Sequence, residues 1–99
     1  MKGKQFEKLP QEINIDEPKK YNVVFLNDDF TPIEFVVAVL TQLFSFSQEK
    51  SSKIANDIHE KGKAVVGTYT KDIAETKVKL VLDIANMSGH PLQANIQST

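Results

Sequence analysis

The segment Pro32–Phe44 most constrains what this chain can fold into. Its apolar positions 33, 36, 37, 40, 43 and 44 recur at helical spacing, while Phe35 and Val39 fall on other faces. A helix that is apolar on nearly every side needs partners on several sides. In a chain of 99 residues such partners are few. Part of this helix is therefore expected to line a groove, whereas Val37, Leu40, Leu43 and Phe44 are expected to pack in the core.

The flanking pattern supplies the partners. Tyr21–Leu26 is β-branched and aromatic and reads as a strand, ended by the turn-forming Asn27–Asp28–Asp29. Thr31–Pro32–Ile33–Glu34 has the form of a helix start, with Thr31 as N-cap, Pro32 in the first helical position and Glu34 closing a capping box. A second helix is expected from Ser47 to about Lys61, with Ile54, Ala55 and Ile58 as its apolar stripe and Gly62 as its stop. Lys63–Tyr69 reads as a strand. Thr70 would cap a third helix burying Ala74, Val78, Val81, Leu82 and Ala85, and Leu92–Ile96 a last short strand. The order strand, helix, helix, strand, helix, strand predicts a small α+β sandwich, three helices packed on a short antiparallel sheet.

The first 20 residues differ. They carry five lysines and four acids, with Phe6, Leu9, Ile13 and Ile15 scattered and Pro10 and Pro18 interrupting any pattern. Such a stretch buries too little to offset its ordering entropy. Residues 1–19 are expected to form a flexible extension and residues 20–97 one domain.

Composition narrows the function. All 12 basic residues are lysines and the net charge is −1, so a dedicated nucleic-acid binder is not expected. There is no cysteine, which removes disulfides, thiolate catalysis and Cys-based zinc sites. The longest apolar run, Phe35–Leu40, is far short of the ~20 residues of a membrane span. No secretory leader is evident, and a cytoplasmic setting is the default expectation.

Few residues could carry chemistry. Asn27, Asp28 and Asp29 with Thr31 sit where a strand meets a helix. Solvated turn chemistry explains them as well as a cation site does, in which an amide oxygen and a carboxylate hold an ammonium group or a metal ion. His59 and His90 lack the further ligands a zinc site needs. No nucleophile turn and no Gly-rich phosphate loop are present, the glycines being isolated at 3, 62, 67 and 89. Neither a catalytic residue, a metal nor a cofactor is expected.

Four blocks, taken in order, carry a resemblance. Asn27–Asp28–Asp29–Phe30–Thr31–Pro32–Ile33–Glu34–Phe35–Val36 is followed by His59–Gly67, Ala74–Glu75–Thr76–Lys77 and His90–Pro91–Leu92. Together they resemble the ClpS family of proteolytic adaptors over about residues 20–97. The resemblance implies a non-catalytic adaptor that binds proteins beginning with a bulky apolar or aromatic residue (Leu, Phe, Tyr or Trp) and delivers them to a Clp AAA+ unfoldase of the ClpA or ClpC type. It implies Asn27, Asp28 and His59 around the free α-amino group, and Thr31 and Asp29 at the substrate backbone and rim. It implies Ile33, Val36, Ala55, Ile58 and Leu92 in the side-chain pocket, Asp72 and Lys77 on the unfoldase-docking surface, and the extension in delivery. The family often has methionine at the positions of Ile33 and Ala55, so a stiffer gate and a roomier pocket are expected here. A ribosomal-stalk-like or other interaction domain shares the helix–sheet plan and is the alternative.

Overall fold

A computed structural model describes residues 18–99; the expected extension lies almost wholly outside them. Six elements follow in the anticipated order: β1 (Lys20–Leu26), α1 (Ile33–Leu43), α2 (Gln48–Lys61), β2 (Lys63–Thr70), α3 (Lys71–Met87) and β3 (Gln93–Ser98). The sheet order is β2-β1-β3, and both pairings are antiparallel. β1 is the central strand because it carries the densest apolar run: Val23, Val24 and Phe25 are fully or almost fully buried. The β1–β2 register shifts between Val23, opposite Gly67, and Val24, opposite Val65. The extra residue is Val66, which the bulge turns into the core.

The apolar excess of α1 is shared between neighbours. Val36, Val39 and Leu40 are buried, and Val37 is half-buried. Beyond the helix, Phe44 meets Phe25 edge-on at 5.7 Å between ring centroids. α3 presents the small residues Ala74 and Ala85 and the fully buried Val81 to the core. Val78 and Leu82, expected on that buried face, are only half-buried.

Two helix starts differ from expectation. Pro32, not Thr31, is the N-cap of α1, and no side chain caps that end. The Thr31 hydroxyl donates instead to Asp28, so the capping box with Glu34 does not form. Thr70 likewise makes no side-chain cap at α3, whereas the Ser47 hydroxyl accepts from the Lys50 N–H at 3.1 Å as anticipated. The exposed carbonyls at the end of α1 have no basic residue of their own helix nearby. Lys77 of α3 supplies one, its Nζ donating to the Leu43 carbonyl at 3.0 Å and lying 5.0 Å from the Phe44 ring centre.

Candidate functional site

The site begins where β1 stops. The Asn27 N–H donates to the Gly62 carbonyl at 2.9 Å, which ties the end of β1 to the end of α2. Gly62 holds the left-handed conformation there, with φ of 91°, and its N–H closes the last turn of α2 on Ile58. His59 lies one turn before Gly62, so this link carries the imidazole to the same end of the molecule as the Asn27 side chain.

Asp28 then builds the turn. Its Oδ1 accepts from the Phe30 N–H at 2.8 Å and the Thr31 N–H at 2.7 Å, and its Oδ2 from the Thr31 hydroxyl at 2.8 Å. A carboxylate offers about four lone-pair sites, so roughly one is left for an outside donor. Burial pushes this carboxyl upward. The hydrogen bonds from Phe30 and Thr31, with the nearby His90 imidazole, outweigh that and hold it below its ordinary value of 3.8. The carboxylate is therefore charged at neutral pH. His90 belongs to this neighbourhood through its ring, which packs on Phe35 at 4.5 Å. Only its place in the fourth sequence block hinted at that.

Beside the turn lies a hollow of about 320 Å³ lined by Asn27, Asp28, Asp29, Thr31, Ile33, Val36, Ala55, Ile58 and His59. The fold brings these nine together from three places: the turn, the first turn of α1 and the C-terminal half of α2. Val36, Ala55 and Ile58 are buried at its floor, while Ile33 is 40% exposed at its mouth. The hollow thus combines polar groups of the turn and His59 with apolar groups of α1 and α2. Leu92 is 2% exposed within the core and is not among the residues that line the hollow. Asp72 is exposed in the first turn of α3, outside the hollow, and Lys77 is held by Leu43 as described. No group of three or more metal-ligating side chains occurs among the described residues, and no helix of them is long and apolar enough to cross a membrane.

A charged, hydrogen-bonded turn beside a partly apolar hollow has the features of a peptide- or amine-binding module. The comparisons give this class its family. The profile of the family described as ATP-dependent Clp protease adaptor protein ClpS matches residues 16–95. The ClpS adapter of Leptothrix cholodnii is 49% identical over 83 residues, covering 84% of this chain and 72% of the relative. That of Neisseria meningitidis serogroup A is 43% identical over 93 residues, covering 94% and 90%. Among solved structures, Agrobacterium tumefaciens ClpS2 bound to L-phenylalaninamide superposes with a TM-score of 0.82 at 40% identity. It covers 84% of this chain and 100% of that one. The chain belongs to the ClpS family of Clp protease adaptors, which are not catalytic enzymes.

Proposed function

We propose that this adaptor binds proteins through a free N-terminal amine together with a bulky apolar or aromatic first side chain, and hands them to a Clp AAA+ unfoldase. One observation carries the reading: Asn27, Asp28 and His59 line the same hollow as Val36, Ala55 and Ile58. The relative bound to L-phenylalaninamide supports it, since that ligand has a free α-amine and an aromatic side chain.

The physics favours a two-part ligand. An α-amino group has a pKa of about 7.7–8.0 and is largely protonated at neutral pH. The Asn27 amide oxygen, the free acceptor site of Asp28 and a neutral His59 ring nitrogen can take its three protons. Charge-assisted hydrogen bonds contribute about 1.5–3 kcal/mol each, and burial of a Leu or Phe side chain about 1.5–3 kcal/mol. Together these are gross gains of about 6–12 kcal/mol, which must exceed an association cost of comparable size. Neither part suffices alone. Asp29 and Thr31 stand where the ligand backbone would leave, and Ile33 forms the gate. Delivery would use Asp72 and Lys77 of α3 against the unfoldase N-terminal domain, of the ClpA or ClpC type, and the segment 1–19.

Mapping by backbone-amide NMR with L-leucinamide tests the placement. Shifts are expected at Asn27–Thr31, Ala55, Ile58 and His59. Shifts confined to α3 and β3 would overturn it.

A further inference from the structure

We infer that the outer edge of β3, together with the groove between that strand and α3, is an interface between two copies of this chain. The inference stands apart from the proposed peptide binding, since no residue of this groove lines the hollow beside Asp28.

The two edges of the sheet differ. β2 begins with Lys63, and a bulge breaks its register with β1; both features discourage pairing with another chain. β3 has neither. Gln93–Ser98 contains no charged residue and no proline, and its register with β1 is unbroken. Among the described residues no strand pairs with its outer side. Alternate residues of β3 therefore present their N–H and C=O groups along an open edge.

The groove lies on the helix side of that edge. It has a volume of about 340 Å³ and is lined by Glu75, Val78, Lys79, Leu82 and Asp83 of α3 and by Ile96 of β3. Val78, Leu82 and Ile96 are only half-buried, so an apolar strip runs beside the open backbone.

A second copy fits both features. An antiparallel β3–β3 pair about a two-fold axis through the sheet keeps the helices of both copies on one side. Val78, Leu82 and Ile96 of each copy then face those of the other. The charges suit the same partner. The groove carries Glu75 and Asp83 of one sign and Lys79 of the other, so two copies can exchange ion pairs across the axis. Within one chain Lys79 meets Asp83 at 3.0 Å, but the two side chains are 76% and 55% exposed and can change partner. The net charge of −1 leaves little repulsion between copies. A strongly acidic or strongly basic partner would gain little from a lining of mixed sign.

Sedimentation velocity of the full chain tests this. One strand and part of one helix make a small interface, so a reversible dimer with a Kd on the order of 10–100 μM is expected. Asn95 and Gln97 are exposed on β3. Asn95→Lys/Gln97→Lys sets lysine against lysine whether the pairing centres on Asn95 or on Ile96, and is expected to weaken the dimer at least tenfold. Lys79→Glu makes the charged lining wholly acidic and is expected to weaken it about three- to tenfold. Both changes fall on exposed side chains of different elements, so the unfolding midpoint is expected to stay at the wild-type value. Dimerisation at wild-type strength in either variant overturns the inference. So does a full chain that is monomeric throughout, whether the groove is then covered by residues 1–17 or by another protein.

Discussion

The Asn27 N–H and the Gly62 carbonyl, 2.9 Å apart, join the turn after β1 to the end of α2. The lining of the hollow depends on this link, because it ties the turn that carries Asn27 and Asp28 to the end of the helix that carries His59. Gly62 is held at φ of 91°, and a Cβ added there would meet nothing within 4 Å. Gly62→Ala is therefore a pure backbone probe. It is expected to lower stability by about 1–2 kcal/mol in urea unfolding and to weaken peptide binding in parallel. An unchanged unfolding midpoint would contradict this account of the link.

Asp28 both folds the turn and supplies its charge, and Asp28→Asn separates the two. The amide oxygen can still accept from the Phe30 and Thr31 N–H groups that now bind Oδ1, so the domain stays folded. Affinity for a Leu-initiated peptide is expected to fall about 10- to 100-fold, the range of one charge-assisted bond. Titration calorimetry showing wild-type affinity would remove Asp28 from the site.

The pH dependence follows from the same residue. Its carboxyl is held below 3.8 in the folded chain. The stability this gives is present above the unfolded value and is lost only as pH falls through the lower folded one. Binding that depends on this charged carboxylate should weaken as pH falls through the same range, and far less so in Asp28→Asn, measured by titration calorimetry. An acid loss of binding that Asp28→Asn leaves unchanged would contradict the assignment.

Ser51 is the one fully buried polar side chain among the described residues, and its Oγ has no hydrogen-bond partner there. Ser51→Ala removes that unpaired group and improves helix propensity. Stability is expected to rise by about 1 kcal/mol with peptide affinity unchanged. A destabilised variant would show that the hydroxyl is satisfied in solution.

Asp72 and Lys77 are not equivalent probes of unfoldase docking. Lys77 holds the end of α1 through Leu43, so Lys77→Ala should cost about 1–2 kcal/mol of stability whatever its partner does. Asp72 is exposed and has no such bond. Asp72→Asn should therefore leave urea unfolding within about 0.5 kcal/mol of wild type and weaken adaptor–unfoldase pull-down. Unimpaired pull-down would remove Asp72 from the docking surface.

The element order and the α+β class were legible because apolar periodicity changes cleanly along the chain: β-branched at Tyr21–Leu26, helical at Ile33–Phe44. The excess of α1 correctly pointed to a groove beside it. The cap of α1 was misread because Thr31 has two possible partners. Local pattern favours the helix N–H groups, but Asp28, three residues earlier, takes the hydroxyl. The burial of Leu92 follows from its hydrophobicity, whereas its position relative to the hollow depends on how the chain enters β3, and no local spacing encodes that. The contacts of His90 with Phe35 and of Lys77 with Leu43 join distant segments and are equally silent in the sequence.

The account stands most directly on a two-by-two titration: peptides beginning with Leu or Ser, each with a free or an acetylated amine, measured calorimetrically against the full chain. Only the free Leu peptide is expected to bind, with a Kd on the order of micromolar. Equal binding of free and acetylated Leu peptides, or of free Leu and free Ser peptides, would contradict the claim that one hollow reads amine and side chain together.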